Sequence, residues 1–165
     1  MIKSITVTVL FCIAAGILQS GIISQITFLK VIPDLALCIL VFSAYVNGTM
    51  PGQISGFMSG LLLDFLSASP LGLNCLVRTL IGALAGVFKG TFFLDIFLMP
   101  VILCAVATLI KAVLFFFLHL IFGSHIPVYS FSSSTLWIEL GLNCISAPLL
   151  FFLLRKIRPI YIRRK

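Results

Sequence analysis

The sequence predicts an all-α membrane protein with about six transmembrane helices. Of its 165 residues, 61% are hydrophobic and only 9% are charged, and the mean hydropathy is +1.28. A soluble domain has about 45–50% apolar residues and about 25% charged ones. A chain of this length cannot bury such an excess, because small domains keep much of their surface in water. Lipid is therefore the predicted solvent for most of the chain.

The apolar residues fall in runs that match transmembrane helices. A spanning helix needs about 20 mainly apolar residues. Six spans are predicted, at 5–25, 33–48, 51–67, 71–89, 99–122 and 136–154, of which the second and third are short. The longest polar connection covers only 123–135. We therefore expect residues 1–165 to form a single transmembrane domain.

The first apolar run has some features of a signal peptide, because it follows Lys3. However, it continues past the usual length of a signal core, and no clear small-x-small cleavage site follows it. We therefore predict that this segment is retained as the first span.

The distribution of Lys and Arg predicts the orientation. The tail 155–165 holds six of these residues: Arg155, Lys156, Arg158, Arg163, Arg164 and Lys165. Six spans then place both termini in the cytoplasm. The tail is interpreted as a topology anchor, or alternatively as a contact for anionic lipid headgroups or an acidic cytoplasmic partner. Nucleic acid is not a predicted partner, because the net charge of +7 comes largely from this tail.

All five cysteines lie inside predicted apolar spans, and none forms a C-x-x-C motif. They are Cys12, Cys38, Cys75, Cys104 and Cys144. We interpret them as small buried hydrophobic residues, with neither disulfides nor metal ligands expected.

Glycines recur every four residues in the third and fourth spans, so each set shares one helix face. Gly52, Gly56 and Gly60 lead to Asp64 in the third span, and Arg78 leads to Gly82, Gly86 and Gly90 in the fourth. An antiparallel hairpin centred on Leu71 would place these residues level in pairs. The predicted pairs are Asp64 with Arg78, Gly60 with Gly82, Gly56 with Gly86, and Gly52 with Gly90.

Such a glycine stripe suits helix packing in a bilayer, where close approach replaces hydrophobic burial as the driving force. A lone charge at depth costs about 2.5–3.5 kcal/mol on insertion scales. We therefore predict that Asp64 and Arg78 neutralise each other. Two alternatives stay open: either charge binds another subunit, or the glycines face a small-residue stripe on the first span. That stripe consists of Cys12, Gly16, Ser20 and Ser24.

Four more polar residues lie in the last two spans: Lys111, His119, Glu139 and Asn143. His119 and Glu139 are each ten residues from Tyr129, so they are predicted to be level. Lys111 has no predicted partner on the sixth span. Ionisable residues in a membrane are candidate functional residues. For Lys111, His119 and Glu139 we favour structural or partner contacts over a polar cavity or a proton relay.

The sequence contains no catalytic signature. H-E-x-x-H, G-x-S-x-G and P-loop motifs are missing. The only carboxylates are Asp34, Asp64, Asp95 and Glu139, and their spacing suggests no nucleophile and base placed together. We predict a protein that is not an enzyme and has no cofactor or metal.

The segments "VIPDLALCILVFSAYVNG" and "GFMSGLLLDFLSASPLGLNCLVRTLIGALAG" resemble the MreD family, the rod shape-determining membrane proteins of bacteria. The matching positions are Pro33, Asp34 and Leu35, then Gly56, Gly60, Leu62, Leu63 and Asp64, then Ser69, Pro70, Leu71 and Gly72. One departure is the loop "YVNGTMPGQ", which lacks the basic residues that family members often carry there.

The resemblance implies a non-enzymatic scaffold of the cell-elongation machinery in the bacterial cytoplasmic (inner) membrane. Its implied partners are an MreC-like periplasmic scaffold, an MreB-like filament, and a RodA-like glycosyltransferase with its transpeptidase. It would help to organise peptidoglycan synthesis and rod shape. The implied fold is similar to that of the substrate-binding subunits of energy-coupling-factor transporters.

That fold relation supplies the main alternative, a vitamin-binding subunit of such a transporter. A ligand pocket would need aromatic and polar residues near the outer face, and the sequence offers few beyond Trp137, Tyr129 and His125. A proton- or lipid-linked transporter is a third possibility. Its polar pathway would use Lys111, His119 and Glu139, but the chain shows no internal repeat.

Overall fold

A computed structural model of the chain describes residues 2–19, 31–67, 70–90, 98–123 and 134–156. These residues form six helices and no strand, so the all-α prediction is confirmed for this part of the chain. The helices are α1 (Ile2–Leu18), α2 (Leu35–Asn47), α3 (Thr49–Leu66), α4 (Leu73–Val87), α5 (Leu98–Phe122) and α6 (Ser134–Lys156).

Each predicted span overlaps one of these helices, with differences at the ends. Residues 20–25 of the first predicted span lie outside the described residues. Helices α5 and α6 are long and apolar enough to cross a membrane, whereas α1, α2 and α4 contain shorter apolar segments. The 13 residues of α2 rise about 20 Å, which is less than the ~30 Å hydrocarbon core of a bilayer.

Around an apolar core, the bundle also buries charged and polar side chains, and it exposes many large apolar ones. Asp34, Arg78 and Asn143 are buried, whereas Leu149 on α6 is 74% exposed. Water-soluble folds favour the opposite distribution, since an unpaired buried charge is costly in them. The arrangement suits a helix bundle that is surrounded by lipid.

Contacts between helices show that their directions alternate. Thr8 Oγ1 of α1 lies 2.5 Å from Ser43 Oγ near the end of α2, and Gln19 reaches the Pro33 carbonyl just before α2 begins. The same alternation relates α3 to α4 and α5 to α6. One end of the bundle therefore holds Asp34 and the start of α2, and we call it the Asp34 end. The opposite end, which holds Lys89, is called the Lys89 end.

Helices α3 and α4 form an antiparallel hairpin in which glycines face the neighbouring backbone. A Cβ atom added at Gly52 would lie less than 3.0 Å from the Gly82 carbonyl oxygen, and one at Gly82 would meet Gly52 in the same way. Gly56 faces Arg78 and Thr79, Gly60 faces Asn74 and Cys75, and Gly86 faces Gly48 and Thr49. The structure therefore places five of the six predicted seam glycines between the two helices.

The predicted register of the hairpin is wrong. Gly52 faces Gly82 instead of Gly90, a shift of eight residues, and the predicted Gly60–Gly82 and Gly56–Gly86 pairs are displaced by the same amount. Gly90 lies beyond the end of α4 with a φ of +72°, and a Cβ there would meet nothing within 4 Å. It is thus a turn residue and does not belong to the seam. The alternative that these glycines face the small-residue stripe of α1 is not seen among the described residues: Gly16 of that stripe faces the Leu63 side chain of α3, and Ser20 and Ser24 lie outside the described residues.

Candidate functional site: a buried ion-pair cluster

Asp34 is held in place by the start of α2. It is the N-cap residue of that helix, and its Oδ1 accepts a 3.0 Å hydrogen bond from the Leu37 amide. Aspartate is a favoured N-cap because its carboxylate satisfies an amide that has no partner within the helix. The Asp34 amide in turn donates to Asn143 Oδ1 at 2.7 Å. Both the backbone and the side chain of Asp34 are therefore fixed.

Three salt bridges connect four side chains around Asp34. Arg78 Nη2 lies 2.8 Å from Asp34 Oδ1, and Lys111 Nζ lies 2.9 Å from Asp34 Oδ2. Lys111 Nζ also lies 2.7 Å from Glu139 Oε1. We call these four residues the Asp34 cluster. It joins α2, α4, α5 and α6, and its two cations balance its two carboxylates.

The cluster is shielded from the surroundings of the bundle. The four side chains are between 5% and 12% exposed. At this depth, removing one partner leaves an uncompensated buried charge, which typically costs about 3–5 kcal/mol. Each charge therefore depends on the others, and the cluster holds its four helices in one arrangement.

Asn143 extends the polar network along α5 and α6. Its Nδ2 donates to Thr108 Oγ1 at 3.0 Å, and Thr108 donates to the Cys104 carbonyl. Because Asn143 also accepts from the Asp34 amide, one side chain links three helices. Asn143 lies in a predicted span, but no spacing in the sequence links it to Asp34.

The predicted Asp64–Arg78 ion pair is wrong, because Arg78 pairs with Asp34. Asp64 instead binds the start of α4. Its carboxylate accepts from the amides of Gly72, Asn74 and Cys75 at 2.9, 3.0 and 3.1 Å, and from Asn74 Nδ2. The N-cap of α4 is Gly72, which has no side chain to cap the helix. Asp64 supplies that cap from α3, with a negative charge at the positive end of the α4 dipole.

This capping explains the register of the hairpin. Asp64 binds the amides of Gly72, Asn74 and Cys75, and the facing pairs of α3 and α4 are centred on Ser67, the C-cap of α3, rather than on Leu71. Moving the centre of a hairpin by four residues shifts every facing pair by eight. The useful signal in the sequence was a helix that begins after Pro-Leu-Gly, with no Ser, Thr, Asp or Asn to cap it.

The predicted partners in the last two spans also change. Lys111, which had no predicted partner on the sixth span, pairs with Glu139 of α6. Glu139 is therefore level with Lys111 and not with His119, which lies about 12 Å further along α5. Lys111 and Glu139 bind each other, and a partner contact through either residue stays a prediction. A partner contact through His119 stays a prediction.

Residues of the MreD-like motif lie both at the Asp34 cluster and at the cap that Asp64 supplies to α4. Pro33 and Asp34 lead into α2 at the cluster, and Gly72 donates its amide to Asp64. Pro70 precedes this turn and accepts a backbone hydrogen bond from Leu73. Ser69 lies outside the described residues.

A cavity of about 420 Å³ adjoins the cluster at the Asp34 end of the bundle. Arg78, Lys111, Asp34 and Glu139 contribute to its wall, so the ion pairs lie beside an open space. Lys111 and Glu139 belong to the polar cavity that was one alternative from the sequence, whereas the contributions of Asp34 and Arg78 were not predicted.

Comparison with known proteins identifies the family. The family model described as rod shape-determining protein MreD matches residues 1–157. The chain belongs to the MreD family. Membership implies a role in rod shape determination and a place among structural, membrane-associated proteins. No curated protein and no solved structure was found to match the chain. Asp34 and Asp64 of the MreD motif thus have distinct structural roles, one in the ion-pair cluster and one as a helix cap.

Proposed function

We propose that the chain is a non-enzymatic scaffold of the bacterial cell-elongation machinery. It binds an MreC-like periplasmic scaffold and acts together with an MreB-like filament. It helps to position a RodA-like glycosyltransferase and its transpeptidase, and so organises peptidoglycan synthesis. Nucleic acid has no part in this role. The shape-determining role of the family supports the proposal.

The observation that carries the proposal is the closure of the Asp34 cluster. Its four charged side chains form salt bridges with one another across four helices. A scaffold needs a fixed surface, and paired charges that hold helices together supply one. A proton carrier would instead need groups that change charge without breaking the bundle.

The proposed placement is multi-pass, with six helices in the cytoplasmic membrane. Lys3, Lys89, Arg155 and Lys156 lie at the Lys89 end, so the positive-inside rule favours a cytoplasmic location for this end. Both termini are then cytoplasmic, and the Asp34 end faces the periplasm. The short helices fit through local thinning of the bilayer, which costs a fraction of a kcal/mol per Å of mismatch.

Partner helices have apolar surface available on α5 and α6. Leu120, Ile145 and Leu149 are each more than 70% exposed on these two helices. Such faces contact either lipid or the membrane span of another protein. We propose that the single span of the MreC-like protein packs here, beside a fold similar to the substrate-binding subunits of energy-coupling-factor transporters.

The proposal is tested in the protein's own host. Depletion should turn rods into swollen or round cells, and the tagged chain should recover the MreC-like protein from mild detergent. The tagged Leu149→Lys variant should recover less of the MreC-like protein. Phe57→Lys on α3 is the control, which tests whether a lysine at any exposed apolar position has this effect. Normal rods after depletion, together with a vitamin bound to the purified protein, would instead support the transporter-subunit alternative, which the cavity favours.

A further inference from the structure

The cavity at the Asp34 end has the size of a small-molecule site. Its volume of about 420 Å³ falls within the range of about 300–1,000 Å³ that is typical of ligand pockets. Its wall combines the charged cluster with apolar side chains such as Val31, Ile32 and Leu63. Four neutral polar residues from different parts of the bundle complete it: Gln19, Ser67, Asn74 and Thr135.

Arg78 supplies an independent sign of a ligand. Its side chain is 7% exposed and lines the cavity, and its Nη2 donates to Asp34. Its Nη1 is buried and has no hydrogen-bond partner among the described residues. A buried donor without an acceptor typically costs about 1–3 kcal/mol, and more when the group is charged. An acceptor from a bound molecule would remove this cost.

The charge of the cluster defines the kind of acceptor. Two cations and two carboxylates already balance. An added anion would compete with Asp34 for Arg78 and leave one buried negative charge uncompensated. A neutral oxygen, as in an amide carbonyl, would satisfy Nη1 without changing the balance.

We propose that this cavity binds a small neutral molecule that presents a carbonyl oxygen to Arg78. Its hydroxyl or amide groups contact the neutral polar residues around the cavity, and its carbon skeleton packs on the apolar wall. This site is independent of the scaffold role, because a scaffold functions with or without a ligand in its outer face.

The test uses matched neutral and anionic probes on the purified full chain in lipid nanodiscs. One pair is N-acetylglucosamine and glucuronate, and the other is N-acetylalaninamide and N-acetylalanine. Saturation-transfer NMR and calorimetry measure binding. We expect at least one neutral amide to bind, and its carboxylate counterpart to bind about tenfold more weakly or not at all.

Three variants separate this site from adventitious binding. Thr135→Trp places a bulky side chain at an exposed position on the cavity wall and should abolish binding, whereas Leu10→Trp, at an exposed position on α1 away from the cavity, should leave it unchanged. Arg78→Lys keeps the positive charge but removes the guanidinium group, so it should weaken binding of the neutral probe.

Three results would overturn the proposal: no binding of either neutral probe, stronger binding of the carboxylates, or unchanged binding to Thr135→Trp. None of them bears on the scaffold role, which is measured by cell shape and recovery of the MreC-like protein.

Discussion

Arg78 of α4 donates a 2.8 Å hydrogen bond to Asp34, which lies 44 residues earlier in the chain, at the start of α2. Lys111 holds the other oxygen of the same carboxylate at 2.9 Å. The aspartate of the Pro-Asp-Leu motif thus receives two cations from two further helices. This relationship makes Asp34 the residue on which the arrangement of α2, α4 and α5 depends.

Removing the charge of Asp34 should destabilise the bundle strongly. Asp34→Asn keeps the size and a capping oxygen, but Arg78 loses its only carboxylate in the cluster. We expect a loss of about 3–5 kcal/mol, measured as a fall in melting temperature and in folded membrane yield. Lys156→Gln removes an exposed charge and should change stability by less than about 0.5 kcal/mol. Similar small effects for both variants would contradict a buried, mutually dependent cluster.

The lysine in the cluster allows a test by double substitution. Lys111→Met leaves Asp34 and Glu139 with Arg78 as the only remaining cation, so it should be severely destabilising. Adding Glu139→Gln restores the balance of one cation and one carboxylate. We expect the double variant to be more stable than Lys111→Met alone by 1 kcal/mol or more, within the usual range for coupled residues. Additive losses in thermal unfolding would mean that Lys111 and Glu139 do not interact.

The α3–α4 seam predicts a difference between two Gly→Ala changes. A Cβ at Gly82 would lie less than 3.0 Å from backbone atoms of Gly52, whereas one at Gly141 in α6 would meet nothing within 4 Å. Gly82→Ala should therefore cost about 1–3 kcal/mol through overpacking. Gly141→Ala should be neutral or stabilising by up to about 1 kcal/mol, because alanine favours helix. Equal melting temperatures for the two variants would show that α3 and α4 are not in close contact.

The capping role of Asp64 makes a separate prediction. Asp64→Asn keeps one acceptor oxygen for the start of α4, whereas Asp64→Ala removes both, so stability should fall in the order Asp, Asn, Ala. Losing a cap typically costs about 0.5–2 kcal/mol. Reversing both charges, with Asp64→Arg and Arg78→Asp, should not restore the stability that either reversal loses, because these residues do not pair. If the double reversal recovered stability, it would show that Arg78 pairs with Asp64.

The sequence predicted the features that depend on local spacing. Apolar runs indicated the six helices, and the four-residue intervals of Gly52, Gly56 and Gly60 placed these glycines on the face that meets α4. The register was not predictable in this way, because equal distances from Leu71 assume a symmetric turn. Asp64 breaks that symmetry by binding the amides of Gly72, Asn74 and Cys75.

The ion-pair cluster could not be predicted from sequence spacing for a different reason. Its bonded partners are 28, 44 and 77 residues apart, and no helical periodicity relates them. Asp34 was recognised only as part of a motif, and Lys111 only as a charge without a partner. Pairing them requires the packing of α2 against α5, which sequence spacing does not contain.

The most direct test of a structural rather than a chemical role for the cluster is made in cells. A strain depleted of the protein is supplied with Lys111→Met alone or with Lys111→Met together with Glu139→Gln, and cell length-to-width ratio is measured alongside membrane levels of each variant. We expect the single variant to give round cells and the double variant to restore rods. Round cells with a double variant that is inserted at the wild-type level would contradict this role, because the ionisable groups themselves would then be required.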